Sequence, residues 1–211
     1  MRGLAATETP EIRSNRNGAW QSRNKAFLDP ASHAAGAGVR KHVKRLREGI
    51  EAALREFLGQ HLAAPGAAPN ATSELEVGID ASWANVNPAC ALNGPHVHPF
   101  AAISGAYYVD CGGGNASAGG QACAIYLMDP RPAAPMAHLP AEVRDGLDLG
   151  IDWMLSLHPG TVLLFPSWLT HWVPPNAGPA ARLSISFNAG VRAPAVVRPP
   201  AHAAAKVERV G

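Results

Sequence analysis

Hydrophobic residues recur at spacings of three and four between residues 39 and 62, with Arg, Lys and Glu between them. This periodicity predicts one long amphipathic α-helix. The segment 63–73 contains two prolines, a glycine and several turn-forming residues, and therefore predicts the end of the helix. The apolar positions of the predicted helix are Val39, Val43, Leu46, Ile50, Leu54, Phe57, Leu58 and Leu62.

After residue 73 the pattern changes to period two, which is typical of half-buried β-strands. In the segment 74–82 the apolar residues Leu75, Val77, Ile79 and Ala81 alternate with mostly polar ones. Short strands separated by Gly/Pro-rich turns predict an all-β sandwich or barrel with a helix packed on one side. The other predicted strands cover residues 103–109, 122–128, 161–165 and 182–187.

The 211 residues are enough for one domain with a full hydrophobic core. We expect this domain at 25–190, preceded by a polar N-terminal arm at 1–24 and followed by an extended C-terminal arm at 191–211. A hydrophobic fraction of 47% and a charged fraction of 16% are typical of a soluble globular protein. A net charge of +2 gives no reason to expect nucleic acid or an anionic membrane as a partner.

The N-terminal residues contain no apolar core of the kind found in signal peptides, and no apolar stretch approaches the roughly 20 residues of a membrane span. The three cysteines are Cys90, Cys111 and Cys123, an odd number without a CxxC pair. The simplest interpretation is reduced thiols in a cytoplasmic protein, although an odd count still allows one disulfide.

Three of the nine histidines have informative spacing. His96 and His98 are two residues apart, so in a strand their imidazoles point to the same face and can converge on one ion. His171 follows the predicted strand 161–165 and precedes another. Taken alone, each of these spacings more often belongs to structural or surface histidines than to metal ligands. Their order, with an HxH pair followed by strands and then a third histidine, favours a metal site.

Arg182 lies eleven residues beyond His171 and begins a strongly alternating segment. Leu183, Ile185 and Phe187 share one face of this predicted strand, whereas Arg182 and Ser184 share the other. If the apolar face fills the outer core, the guanidinium points into the barrel, where an unpaired charge is costly. The planar fork of arginine suits a carboxylate supplied by a ligand.

These motifs occur in a fixed order between about residues 75 and 190: SWANVNP, NGPHVHP, SGAYYV, LMDPRP, HPGTVLLFPSWLTHWVPP and RLSISFN. In this order they resemble a family of 2-oxoglutarate- and Fe(II)-dependent oxygenases found largely in marine bacteria and their phages. The resemblance implies a mainly β protein, a double-stranded β-helix (a jelly-roll or cupin-like barrel) with the N-terminal helix packed on its outside. It also implies an enzyme that oxidatively decarboxylates 2-oxoglutarate to succinate and carbon dioxide while hydroxylating a C–H bond.

Carried over by position, the resemblance assigns His96 and His171 to the iron and Arg182 to the far carboxylate of 2-oxoglutarate. It suggests Tyr107, Ser184 and Asn188 as further contacts of the cosubstrate. Members of the wider superfamily usually have an acidic residue at the middle metal position, where this chain has His98. The leading hypothesis is therefore a three-histidine Fe(II) site, and a two-histidine site completed by water is the second.

Three rival hypotheses stay open. The chain could be a cupin-like metalloprotein that does not use 2-oxoglutarate, a non-catalytic metal-binding module, or a structural barrel with surface histidines. The substrate, whether a small molecule or a peptide, is not indicated by the sequence, and a homodimer through the helix or the arms is equally open.

Overall fold

A computed structural model describes residues 14–23, 25–34, 36–61, 76–113, 123–131, 140, 143 and 152–192. Within these residues the chain forms two five-stranded sheets in which all neighbouring strands are antiparallel. Sheet 1 has the order β1 (Asn15–Arg16), β4 (Leu92–His96), β9 (His171–Val173), β6 (Ala124–Met128) and β7 (Asp152–Ser156). Sheet 2 has the order β2 (Trp20–Gln21), β3 (Glu76–Asn87), β10 (Arg182–Arg192), β5 (Ile103–Cys111) and β8 (Val162–Pro166). The predicted double-stranded β-helix is confirmed.

Helix α1 (Ala37–His61) packs on the outer face of sheet 2. Its buried residues Ile50, Leu54 and Leu58 contact the strand residues that face away from the other sheet. The helix predicted at 39–62 and its position outside the barrel are therefore confirmed, although Leu62 lies outside the described residues. The strand residues in this cluster are Ile103, Ile185, Phe187 and Ala189.

The side chains of β10 alternate between a buried hydrophobic face and a face that lines the cavity. Leu183, Ile185 and Phe187 are buried in hydrophobic clusters. Arg182 and Ser184 line the cavity instead, as the sequence predicted. Because side chains of a strand point alternately to opposite faces, one strand supplies both the helix-binding surface and one wall of the site.

Gly105 on β5 lies directly opposite Phe187 on β10. A Cβ atom at position 105 would collide with the Phe187 ring and with the Leu163 carbonyl oxygen. The absence of a side chain here therefore makes room for the largest fully buried side chain of the core. This close approach explains a glycine in the interior of a strand, where it would otherwise be unfavourable.

The five predicted strands correspond to β3, β5, β6, β8 and β10, but β3 and β10 extend further towards their C-terminal ends, to Asn87 and Arg192. The sequence did not predict β1, β2, β4, β7 or β9. β4 reads LNGPH and β9 is only three residues long, so neither has a period-two apolar pattern. Tertiary pairing rather than local preference makes these segments strands.

The prediction of reduced thiols is wrong for two of the three cysteines. Cys111 at the end of β5 and Cys123 just before β6 form a disulfide with a Cα–Cα distance of 5.2 Å, whereas Cys90 is a free, exposed thiol. The fold brings the two buried cysteines together although the sequence separation carries no pairing signal. The cytoplasmic location inferred from the thiols stays a prediction.

The predicted N-terminal arm contributes β1 and β2 to the edges of the two sheets. The turn segment 63–73 and the C-terminal arm from residue 193 onward lie outside the described residues. The predicted domain boundaries stay predictions. No helix in the described part of the chain is long and apolar enough to cross a membrane.

Candidate metal centre and cosubstrate pocket

A cavity of about 500 Å³ lies between the two sheets and opens to solvent. Its walls come from β3, β5, β8 and β10 of sheet 2, from β4, β6 and β9 of sheet 1, and from the N-terminal segment. All three histidines singled out by their spacing line this cavity, as does Arg182. A cavity with several convergent polar groups is the usual form of a small-molecule site.

The three histidines converge because β4 and β9 are paired. His96 and His171 are cross-strand partners, with ring centroids 4.3 Å apart. His98 follows β4, and its backbone N–H donates to the Ser167 carbonyl at 3.0 Å, which fixes it beside the other two. One ligating nitrogen from each residue lies within 4.8 Å of the others, so the three can reach a single ion.

Backbone carbonyls orient two of the three rings. His96 Nδ1 lies 2.7 Å from the Gly94 carbonyl oxygen, and His171 Nδ1 lies 2.9 Å from that of Leu169. If each Nδ1 donates its hydrogen, Nε2 carries the lone pair that binds a metal. Hydrogen bonds of this kind to the remote nitrogen are typical of metal-ligating histidines.

Burial keeps these imidazoles neutral, which is the form that binds a metal. Burial, followed by the neighbouring His96, lowers the pKa of His171 to about 3. Burial, followed by the charges of His96 and Lys25, lowers the pKa of His98 to about 4. The pKa of His96 is also lowered by burial, and the Gly94 carbonyl partly opposes this shift. The donor set therefore fits a divalent transition metal.

Among the described residues no carboxylate belongs to the metal-ligand group. Three acidic residues that flank these motifs in the sequence are engaged elsewhere. Asp80 pairs with Arg192, Asp110 accepts from the backbone N–H of Gly112, and Asp129 caps a turn by accepting from Arg131.

Arg182 lies at the base of the cavity and is 3% exposed. Its guanidinium donates to the Pro174 carbonyl oxygen at 3.2 Å. Burial lowers the pKa of Arg182 to about 10, and the nearby Tyr108 opposes this shift. Burial raises the pKa of Tyr108 to about 12, while the charge of Arg182 opposes it. At neutral pH the pair therefore offers a cation and a phenolic O–H side by side.

Tyr107 is a correction to the predicted set of cosubstrate contacts. It packs against the hydrophobic cluster under the helix, and its neighbour Tyr108 lines the cavity instead. The two adjacent tyrosines of β5 point to opposite faces, and the sequence gives no local reason to prefer one over the other. Ser184 and Asn188 do line the cavity, and their role as contacts stays a prediction.

Amide and hydroxyl side chains cover much of the cavity wall, and the sequence singled out only Ser184 and Asn188 among them. Asn85 Nδ2 donates to Ser186 Oγ at 2.9 Å and to Ser184 Oγ at 3.3 Å. Asn188 Oδ1 accepts from Ser104 Oγ at 2.9 Å. The wall is thus a hydrogen-bonded network of amides and hydroxyls. Such networks hold side chains in fixed positions when their members are satisfied.

A second chain of amides joins the N-terminal segment to the cavity. Asn87 Nδ2 donates to Asn93 Oδ1 at 2.8 Å, and Asn93 Nδ2 donates to Asn15 Oδ1 at 2.7 Å. The sequence does contain a pattern that predicts this wall: Trp83, Asn85 and Asn87 occupy every second position of the SWANVNP motif. Polar residues at every second position of a strand that is buried on both faces indicate a polar cavity wall.

Comparison with known proteins agrees with this site. The model of a family described as "Putative 2OG-Fe(II) oxygenase" matches residues 81–188, about half of the chain and nearly all of the strands that build the cavity. The chain belongs to this family. No curated protein matches its sequence.

Three solved structures that resemble the chain are 13% or 14% identical to it in sequence. A prolyl-4-hydroxylase from Pseudomonas putida matches with 14% identity and a TM-score of 0.46, over 89% of this chain and 79% of that one. An oxidoreductase of the 2OG-Fe(II) oxygenase family from Burkholderia pseudomallei matches with 14% identity and a TM-score of 0.38, over 55% of this chain. The chain spans 44% of that protein's length.

The non-heme α-ketoglutarate-dependent epimerase SnoN from nogalamycin biosynthesis matches with 13% identity and a TM-score of 0.36, over 68% of this chain and 60% of that one. At sequence identities this low, the substrates of these enzymes give no information about the substrate of this chain.

Proposed function

We propose that this chain is an Fe(II)- and 2-oxoglutarate-dependent oxygenase whose iron is held by His96, His98 and His171. The observation that carries the proposal is the convergence of three neutral imidazoles in a cavity that also contains Arg182 and Tyr108. Bound there, Fe(II) and 2-oxoglutarate would, with dioxygen as the oxidant, supply an oxidative decarboxylation that yields succinate and carbon dioxide, with one oxygen atom entering succinate and the other hydroxylating a substrate C–H bond.

The histidines bind and orient the metal. Their low pKa values mean that no proton has to leave before a ligand bond forms at neutral pH. The Phe165 ring lies 4.6 Å from the His171 ring and covers it from the side of sheet 2. Phe165, Ile125 and Ala106 form an apolar part of the cavity wall that limits access of water to the metal.

Arg182 and Tyr108 are suited to bind the carboxylate of the cosubstrate that is remote from the metal. The guanidinium is already desolvated and held by the Pro174 carbonyl, so little side-chain entropy is lost when a carboxylate binds. The Tyr108 hydroxyl, protonated across the physiological range, can donate a second hydrogen bond. Ser184 and Asn188 continue the same face of β10 and are further candidates for contacts.

A second candidate function is favoured by the absence of a carboxylate from the ligand group within the described residues. Three histidines without an acidic ligand are also compatible with a cupin-like metalloprotein that does not use 2-oxoglutarate. In that case Arg182 would bind another acid or no ligand, and iron binding would not depend on the cosubstrate.

Anaerobic titration of the metal-free protein with Fe(II) and then with 2-oxoglutarate separates the two candidates. We expect a weak visible charge-transfer band that appears only when both are present. Arg182→Met should keep Fe(II) binding but weaken 2-oxoglutarate at least tenfold, because it removes a charge-assisted hydrogen bond worth about 1.5–3 kcal/mol.

Arg192→Met is the matched control, since Arg192 lies at the opposite end of β10 and pairs with Asp80 at the surface. It should leave both affinities unchanged. His171→Ala should lose tight Fe(II) binding altogether. Iron binding without the band, in the native protein, would reject the first candidate in favour of the second.

A further inference from the structure

Lys25 lines the cavity and is itself exposed to solvent, which places it at the cavity mouth. Its backbone is fixed against the edge of sheet 2, because its carbonyl oxygen accepts from the Ser82 N–H at 2.6 Å and the next residue, Ala26, forms a β-bridge with Ser82. The side chain therefore starts from a defined point beside β3. The backbone contacts with Ser82 therefore place Lys25 at the cavity.

Two neighbours hold the ammonium group in place. Lys25 Nζ lies over the Trp83 ring, 4.6 Å from its centroid, which is a favourable cation–π arrangement. With its amide oxygen turned towards them, Gln21 accepts from Trp83 Nε1 at 2.8 Å and from Lys25 Nζ at 2.5 Å. An ammonium has three hydrogens, so this arrangement leaves donors for a ligand.

Nothing acidic balances this charge within the described residues. No carboxylate lines the described cavity wall, and no described ion pair involves Lys25. The same Trp83 ring lies 5.4 Å from the His98 ring, so the ammonium is close to a proposed metal ligand. A cation beside a metal centre is electrostatically unfavourable unless an anion lies between or beside them.

The carboxylate of the cosubstrate that is proposed to bind Arg182 lies towards the other end of this wall. Trp83 pairs with Ser186 and Asn87 pairs with Arg182, so the two positions are four residues apart along the strands. At about 3.3 Å per residue their backbones are about 13 Å apart. The carboxylate at Arg182 and the ammonium of Lys25 therefore belong to different ends of the wall.

We propose that Lys25, with Gln21 and Trp83, forms a subsite for a carboxylate of the primary substrate. This inference rests on the proposed function and adds a substrate class to it: a small organic acid that enters with its carboxylate at Lys25 and its carbon chain directed towards the metal. A single ammonium and an amide suit a carboxylate better than a phosphate, which usually binds to several backbone N–H groups or arginines.

The test measures binding to Co(II)-loaded protein saturated with 2-oxoglutarate, by isothermal titration calorimetry. The probes are straight-chain monocarboxylates from propanoate to octanoate and the primary amides of the same chains. We expect at least one acid to bind tenfold or more tightly than its amide. Lys25→Met should remove this preference while changing the affinity for 2-oxoglutarate by less than twofold.

Methionine keeps an unbranched stem over Trp83 and removes only the charge, so the variant should fold normally. Lys41→Met is the matched control, because it removes the same charge from the exposed outer helix. It should keep the preference of the native protein. Equal binding of acids and amides, binding of no acid, or an unchanged preference in Lys25→Met would each overturn the subsite.

Failure of the proposed function gives a different result. If 2-oxoglutarate itself does not bind to the Co(II)-loaded protein, the function is wrong, and the acid and amide series is then run without it. A preference for acids that disappears in Lys25→Met would still support the subsite under those conditions, and its absence would overturn it.

Discussion

At the scale of single residues, the two adjacent tyrosines of β5 offer a direct test of the cosubstrate site. We expect Tyr108→Phe to weaken 2-oxoglutarate by up to about tenfold, because it removes one hydrogen bond worth about 1 kcal/mol in the cavity. Tyr107→Phe should leave the affinity unchanged, since Tyr107 packs under the helix. Equilibrium binding of 2-oxoglutarate to the Fe(II)-loaded, oxygen-free variants makes the comparison, and equal effects of the two substitutions would contradict it.

The two tyrosines also show which side chains the sequence could assign to the cavity and which it could not. Arg182 could be assigned to the cavity because strand alternation places it on the face opposite to Leu183, whereas the spacing of His96 and His98 predicted only that the two share a face. For Tyr107 and Tyr108 alternation says only that they point in opposite directions. The assignment depends on which face of β5 the helix covers, and that contact lies more than 40 residues away in the chain.

At the scale of elements, long segments with a clear period were predictable and short ones were not. Seven of the eight predicted apolar positions lie within helix α1, so its existence and its packing face follow from the sequence. The strands that position the histidines, β4 and β9, contain Asn, Gly, Pro and Trp in place of an alternating apolar pattern. They are strands because sheet 1 pairs them, so the convergence of His96 with His171 had to be inferred from motif order.

The disulfide between β5 and β6 gives a prediction at the same scale. It closes a loop of 12 residues, which corresponds to about 3 kcal/mol of stabilisation through restriction of the unfolded chain. The double variant Cys111→Ala and Cys123→Ala should lose about this much free energy of unfolding in urea. A reducing agent should produce a similar loss in the native protein.

Cys90→Ala is the control for this experiment, because Cys90 is a free thiol on the surface. It should unfold at the same urea concentration as the native protein, with and without the reducing agent. If reduction leaves the native protein unchanged in stability, the covalent link contributes nothing and the prediction is wrong.

At the scale of the whole molecule, the neutral histidines make the stability of the metal-free protein dependent on pH. The pKa of His171 is lowered by burial to about 3, whereas in the unfolded chain it has the ordinary value near 6.5. Below pH 6.5 the unfolded state therefore binds a proton that the folded state does not. The free energy of unfolding must fall as the pH falls from about 6.5 towards 3.

Between pH 7.5 and pH 5 this single group should remove about 2 kcal/mol, and the less deeply buried His98 should add a smaller loss. Urea unfolding of the metal-free protein at the two pH values measures the loss. The variant His171→Gln, which cannot be protonated, should lose about 2 kcal/mol less over the same interval. Equal pH dependence in the variant and the native protein would mean that His171 is not held neutral by the fold.

A bound metal should raise the free energy of unfolding. A ligand that binds only the folded state adds RT ln(1 + [L]/Kd), which is about 2.7 kcal/mol at a hundredfold excess over Kd. The metal and the proton compete for the same imidazole nitrogens, but burial lowers the pKa of His171 to about 3 and that of His98 to about 4, so these ligands stay unprotonated in the folded protein at pH 5. Unfolding of the native protein with and without a fixed excess of Co(II) should therefore show a metal-induced gain of similar size at pH 7.5 and pH 5. A gain that persists in His171→Gln would place the metal elsewhere on the molecule, and a gain that is lost at pH 5 would mean that the fold does not hold the ligands neutral.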